Sequence, residues 1–418
     1  MNVLVIGGGG REHAIVWKIA QSPKVKKIYC TPGNGGIAGL AECVNIKATD
    51  LNAIVDFAKN NSIDLAVVGP DDPLAMGLVD MLENAGIRTF GPEKKAAIIE
   101  ASKVFSKELM KKYNIPTAKY EVFEEPEKAK EYLKECSFPI VIKAEGLALG
   151  KGVIIAQDLE EAFGAVNEIM IEKKFGESGS RIVIEEFMTG QEVSMVSFTD
   201  GKTVIPMVSA QDHKRIFDND KGPNTGGMGV FSPSRIYTDE IADECMEKIF
   251  IPSIRAMELE GRKFKGIIYF GLMITQNGPK LLEYNARFGD PETQAVLPRL
   301  KTDIIDIFEA VIDEKLNEID IEWHEGGSAC VVMASGGYPG DYQTGYEITG
   351  IKQAEELGCI VFNAGTKLND GKLVTAGGRV LGVTAIGESL DKAIKKAYEG
   401  VQKVNFKDAH YRKDIGKK

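Results

Sequence analysis

Residues 281–294 read LLEYNARFGDPETQ, and the two-residue period of this stretch divides it into two unlike faces. Glu283, Asn285 and Arg287 alternate with Leu282, Tyr284, Ala286 and Phe288, the pattern of a strand with one side in a core. The polar side lines up oxygen ligands and a fixed cation, which is more than a quiet solvated face needs. Gly289, Asp290 and Pro291 then end the strand, because proline cannot continue the ladder and Asp-Pro favours a turn. The bland alternative is a solvated sheet edge, and the rest of the chain has to decide.

Upstream, PIVIKAEGLALGKGVIIA (139–156) places Lys143 at the end of an apolar strand and carries Gly146, Gly150, Lys151 and Gly152 through a turn into a second strand. It differs from G-x-x-x-x-G-K-[ST], because Gly152 stands where Ser or Thr would hold magnesium. A strand–loop–strand bracketed by two lysines can still fold over a polyphosphate, with backbone amides and ammonium groups facing its oxygens. IVIEEFMTGQEV (182–193) then sets Glu185, Glu186, Met188 and Glu192 behind another apolar strand. That segment can supply a carboxylate and an apolar wall for a purine and an acceptor for a ribose, although solvated glutamates beside a strand are common. In SAQDHKRIFDNDKGPNTGGMG (209–229), Asp212, His213, Lys214 and Arg215 precede a long loop, FDNDKGPNTGGMGVFSPS (217–234), which without a core pattern is either functional or disordered; the charged run and loop together read as a lid over an anionic substrate. His213 alone would more often be structural.

The first glycine turn, in NVLVIGGGGREHAIVWKIAQS (2–22), invites a dinucleotide-binding reading. It lacks the third glycine of G-x-G-x-x-G, and the second strand ends in YCTPGNGG without an acid for a ribose hydroxyl. What remains is a glycine-rich helix entrance suited to a lone phosphate; the bland reading is a tight turn only.

Strand, turn and helix alternate up to about residue 100, predicting a parallel sheet covered by helices. A helix from SKVFSKELMKK leads into a smaller α+β unit over 120–190. Helices over roughly 239–260 and 302–316 and the strands GIIYFGLMIT and KLLEYNARF follow, and SACVVMASGGYPG opens a final strand-rich domain. The basic tail FKDAHYRKDIGKK reads as a solvated end. With 418 residues, 44% hydrophobic and 27% charged, the chain has the balance of a soluble multidomain protein. A net charge of −10 argues against a general nucleic-acid or membrane-surface binder. The first strand lacks the flanks of a signal peptide, and no stretch reaches about 20 apolar residues. Six scattered cysteines without metal-binding spacing suggest reduced thiols and a cytoplasmic setting.

In this order, GGREHA, KAEGLALGKGV, QDHKRIFDNDKGPNTGGMG, NARFGDPETQ, MASGGYPGDY and RKDIG resemble the phosphoribosylamine–glycine ligase family of the ATP-grasp superfamily across essentially the whole chain. The resemblance implies a Rossmann-like N-terminal domain over 1–102 and an ATP-grasp domain over 103–326 with a lid at about 120–190. A small β-rich domain over 327–418 would complete an α/β and α+β multidomain chain. It further implies ATP-dependent ligation of glycine to 5-phosphoribosylamine through glycyl phosphate, giving glycinamide ribonucleotide, ADP and phosphate in de novo purine biosynthesis. Another ATP-grasp carboxylate–amine ligase of purine or carboxylation metabolism is the alternative.

By the same resemblance, Lys103, Lys143, Gly150, Lys151 and Gly152 would face the ATP phosphates. Glu185, Glu186 and Met188 would hold adenine, and Glu192 the ribose. Glu283 and Asn285 would ligate Mg²⁺ or Mn²⁺, which favour hard oxygen donors. Arg287, Lys214 and Asp212 would act at the reacting groups. Gly9, Gly10, Arg11 and Glu12 would hold the sugar phosphate, with Asn34, Gly35, Pro70 and Asp290 completing the acceptor site. The strand YFGLMIT lacks the carboxylate that many ATP-grasp enzymes carry before the Glu-x-Asn pair, so no third protein ligand is named. A monomer is expected, with no nucleic-acid or membrane partner.

Overall fold

The computed structural model describes residues 1–148 and 152–417. Its N-terminal sheet is parallel, with Asn2–Gly7 at the centre, Lys27–Pro32 and Leu65–Val68 beside it, and Glu42–Cys43 and Arg88–Phe90 at the edges. Val3, Leu4, Val5 and Ile6 are all 0% exposed, which explains why this strand is continuously apolar: helices cover both faces. Leu4 and Ile6 enter one core and Val3 and Val5 another.

The helix Lys103–Lys112 begins at Ser102, whose hydroxyl accepts a hydrogen bond from Phe105 N at 3.1 Å. It leads into an antiparallel sheet ordered Tyr120–Phe123, Ile182–Glu186, Ile140–Ala144, Val153–Ala156. Ile142, Ala144, Ile182 and Ile184 pack there against the helices Pro126–Leu133 and Leu159–Val166. A second antiparallel sheet contains Val204–Pro206, Gln191–Thr199, Gly266–Thr275 and Gly278–Asn285.

The strict alternation expected at 281–288 breaks at one residue. Gly271 pairs with Glu283 and Leu272 with Leu281, so Leu282 is the extra residue of a bulge. Leu281 is therefore the core residue, while Leu282 packs with Ala118, Met188 and Met273. Tyr284, Ala286 and Phe288 are buried as expected.

The segment read as a coreless loop holds three strands. Arg215–Phe217 and Lys221–Asn224 form a hairpin, and Gly229–Ser232 joins a sheet with Gln211–Asp212, Gly327–Ala334, Arg379–Gly387 and Ile360–Asn363. Met228, Val230 and Phe231 are the buried anchors that the run of glycines and charges concealed. The tail is not a solvated end either. Arg412 is fully buried, donating to Arg215 O at 3.0 Å, Asp220 at 2.9 Å and Asp414 at 2.8 Å. The expected 239–260 helix spans Asp239–Leu259 with a wider turn at Met246–Phe250, and the 302–316 helix is confined to Ile304–Ile312. All six cysteines are free. No helix among the described residues is long and apolar enough to cross a membrane.

Candidate active site

Glu283 sits at the open side of the second antiparallel sheet, and the charges around it define a site. Burial would raise its carboxyl pKa, but Lys214, Lys143, Lys103 and Arg287 outweigh that effect and hold it below the ordinary value. Lys103 arrives from the helix after the N-terminal sheet and donates to Gly146 O at 3.0 Å. Lys143 arrives from its strand and donates to Leu282 O at 3.4 Å. Lys214 comes from the loop after Asp212 and pairs with Glu192 at 2.8 Å. Arg287 pairs with Glu100 at 3.0 Å and reaches Asn285 Oδ1 at 3.4 Å and Phe288 O at 3.1 Å. Four separate elements thus bring cations toward one ionised carboxylate. Glu283 and Asn285 offer one charged and one neutral oxygen donor, a set that fits a hard divalent cation sharing its coordination with a polyphosphate.

A second cluster lies at the junction of the two antiparallel sheets. Glu185 is 2% exposed, and its Oε2 is 3.0 Å from both Lys143 Nζ and Lys107 Nζ. Its Oε1 is buried with no hydrogen-bond partner among the described residues. Met188, with Ala118, Met273 and Leu282, forms a small apolar wall. Glu186 instead accepts from Lys119 N at 3.0 Å and lies 3.5 Å from Lys280. A cavity of about 480 Å³ opens between Glu186, Met188, Gln191, Ile274 and Lys280. Glu192 is exposed apart from its pairing with Lys214. Gly152 returns the chain to Ala144, whose N–H donates to its carbonyl at 2.8 Å. Gly150 and Lys151 lie outside the described residues.

The N-terminal glycine turn meets the far end of the Glu-x-Asn-x-Arg strand. Arg11 donates from Nη1 to Phe288 O at 3.1 Å and from its backbone N to Asp290 Oδ2 at 3.4 Å. Its Nε donates to Glu12 at 2.5 Å, and Glu12 accepts from Gly9 N at 2.7 Å. Glu12 also explains two glycines: a Cβ on Gly7, whose φ is +122°, or on Gly69 would each stand 2.4 Å from its side chain. A Cβ on Gly10 would meet Gln294 at 2.5 Å. Asn34 is committed to its surroundings, donating to Gly8 O at 2.9 Å and Asn363 O at 2.7 Å and accepting from Gly36 N and Ile37 N. Gly35 N donates to Thr366 O, and Pro70 precedes the helix Asp71–Met76. Asp290 accepts from Gln294 at 2.9 Å and lies 3.3 Å from Arg379, which also donates to Gly226 O at 2.7 Å. Burial would raise Asp290, but Arg379 and Arg11 hold it low.

Asp212 has the opposite character. Burial and the neighbouring Glu292 push its carboxyl well above the ordinary range, against the pull of Lys214. Glu292 is 4% exposed and accepts from Ser194 at 2.9 Å and Tyr269 at 3.0 Å. Sequence reading missed Glu292, Glu100 and Lys107. Lys107 alone left a trace, lying four residues after Lys103 on one helical face.

Three family models match in series: phosphoribosylglycinamide synthetase N domain over residues 1–100, ATP-grasp (A) domain over 101–293, and C domain over 328–418. The phosphoribosylamine–glycine ligase of Clostridium acetobutylicum is 51% identical over 417 residues, covering 100% of both chains. The crystal structure of phosphoribosylamine–glycine ligase from Thermotoga maritima superposes with a TM-score of 0.88 at 34% identity, again covering 100% of each chain. A biotin carboxylase domain from Hydrogenobacter thermophilus, solved with MgADP and bicarbonate, shares the fold at a TM-score of 0.73 and 17% identity, covering 98% of this chain and 91% of that one. With its whole length accounted for in this way, the chain belongs to the phosphoribosylglycinamide synthetase family.

Proposed function

We propose that this protein joins glycine to 5-phosphoribosylamine at the expense of ATP, forming glycinamide ribonucleotide, ADP and phosphate in de novo purine biosynthesis. One observation carries the reading. The strand bearing Glu283, ringed by Lys103, Lys143, Lys214 and Arg287, runs directly into Phe288 and Asp290, which touch the N-terminal glycine turn through Arg11. A nucleotide phosphate end and an acceptor end therefore adjoin along one strand, as transfer between them requires.

In this reading, Lys103, Lys143 and Lys151, with the backbone of Gly150 and Gly152, bind the ATP phosphates. Glu185, Glu186 and Met188 hold adenine, and Glu192 the ribose. Glu283 and Asn285 would hold Mg²⁺, or Mn²⁺ in its place, which would supply positive charge to the phosphate oxygens. A glycine carboxylate oxygen attacks the γ-phosphorus and ADP leaves, giving glycyl phosphate. Arg287 faces the negative charge on that group, and Lys214 adds a second cation. The amine of the sugar then attacks the carbonyl, phosphate leaves, and Asp212 takes the amine proton. Gly9, Gly10, Arg11 and Glu12 hold the sugar phosphate end, with Asn34, Gly35, Pro70 and Asp290 around the sugar.

We divide the chain at 1–102, 103–326 and 327–418, with the unit at about 120–190 closing as a lid to keep water from the acyl phosphate. The enzyme acts as a cytoplasmic monomer, a setting supported by its free cysteines. Glycine labelled with ¹⁸O in its carboxylate tests the intermediate. Transfer of one ¹⁸O into released phosphate is expected, and label-free phosphate would overturn it.

A further inference from the structure

Lys107 has no part in the phosphate, metal or acceptor assignments, yet it is among the largest fully buried side chains, and only 2% of it is exposed. Its ammonium donates to Thr117 Oγ1 at 2.7 Å and pairs with Glu185 Oε2 at 3.0 Å, and it stands 5.9 Å from the centre of the Tyr120 ring. Thr117 in turn donates to Leu281 O at 2.6 Å, which ties the helix carrying Lys107 to the strand carrying Glu283. Burying a lysine this deeply is costly unless its charge is matched. Burial pulls its pKa down to about 8 while Glu185 opposes the fall, so it remains mostly charged at neutral pH.

The same Glu185 oxygen also faces Lys143 at 3.0 Å. One carboxylate oxygen therefore receives two ammonium groups, while the other, Oε1, is buried and unpartnered among the described residues. Two cations thus share one oxygen of Glu185. Lys143 also belongs to the set surrounding Glu283. If it turns to the nucleotide phosphates, Lys107 remains as the cation on Glu185.

We infer that Lys107 is a positioning residue for the nucleotide base: it fixes Glu185 so that Oε1 points into the cleft as an acceptor, and it keeps that carboxylate neutralised once Lys143 engages phosphate. The inference rests on the ATP-binding reading above. An ionised carboxylate is acceptor-only, so a base presenting an exocyclic amino group gains a hydrogen bond. A base presenting a carbonyl at that position, as hypoxanthine does, meets a second acceptor. Lys107 thereby sets base selectivity without touching the base.

The test compares ADP and IDP binding by calorimetry, and kcat and KM with ATP and ITP, for the full-length wild type, Lys107→Met, Lys107→Arg and Glu185→Gln. Lys107→Met is expected to weaken ADP binding about tenfold or more, the loss of a charge-assisted hydrogen bond, while IDP binding changes little. The preference for the amino base should shrink accordingly, and Lys107→Arg should restore much of it. Combining Lys107→Met with Glu185→Gln should cost less than the sum of the two, because both act through one carboxylate. Should Lys107→Met not fold, Thr117→Val loosens the same ammonium and is expected to narrow the ADP-over-IDP preference in the same direction. Equal losses for ADP and IDP, or an unchanged preference in the folded variants, would overturn the inference. Wild-type protein that binds no ADP would overturn the ATP-binding reading itself.

Discussion

At the N-terminal glycine turn, Arg11 spends its guanidinium on Glu12 and Phe288 O, and Glu12 returns an oxygen to Gly9 N. At the end of the strand Gly278–Asn285, by contrast, Glu283 faces Lys103, Lys143, Lys214 and Arg287 together. Both regions are charged stretches beside a glycine turn, but their charges have different work. In the first, Arg11 and Glu12 are matched to each other and shape the turn assigned to the sugar phosphate. In the second, Lys143, Lys214 and Arg287 keep carboxylates of their own, Lys103 has no ion pair among the described residues, and all four also share Glu283, so the charges are not matched one to one and their convergence suits a polyanion.

The largest effect should come from the unmatched region. Glu283→Gln keeps shape and volume but removes the charge that balances the lysines. Turnover should fall by on the order of 10³-fold, the scale for losing a preorganised charge at the reacting group, with the thermal midpoint unchanged. Near-normal activity would remove Glu283 from the metal assignment.

Matched charges should behave in the opposite way. Arg412→Ala leaves Asp220 and Asp414 without their shared guanidinium and frees the hairpin Arg215–Phe217/Lys221–Asn224. We expect a loss of about 3 kcal/mol in urea unfolding, the scale for breaking a buried ion pair; a loss under about 1 kcal/mol would return the tail to the solvated class.

Acid should weaken the fold through two buried histidines, one beside each region. His13 is 6% exposed, its Nδ1 accepts from Asn363 N at 2.8 Å, and burial lowers its pKa to about 4 from an ordinary 6.5. Because the folded value is depressed, the unfolded chain takes up the proton first as pH falls. Stability is therefore complete above about pH 6.5 and drains away down to about pH 4, by roughly 3 kcal/mol at most for this residue. His213, lowered to about 4 by burial, adds in the same direction. Unfolding midpoints measured between pH 7.5 and 4.5 should fall less steeply in His13→Asn than in the wild type.

The smallest effect distinguishes the two ends of the active site. Arg11→Met should raise KM for the sugar amine several-fold more than KM for ATP. Equal rises would show that the turn is only a frame.

How much of this was legible depended on whether the signal was local. The first strand and helix, the Ser102 cap, the Lys143 strand and the polar face of 283–287 each declare themselves within about ten residues. Leu282 did not, because a bulge is set by the register of a partner strand. Lys107 looked like one more helical lysine, since the carboxylate that buries it is Glu185, on a strand far along the chain. Met228, Val230 and Phe231 were hidden by the glycines and charges around them, and Arg412 by the lysines of the tail. In each case the partner that decides burial comes from another element.

The most direct test of the central claim is Mg²⁺-dependent phosphate release from ATP, with glycine and freshly prepared phosphoribosylamine omitted in turn. Release is expected only when both are present. Silence with both, but release with a different carboxylate and amine, would contradict the proposed reaction while keeping the nucleotide site.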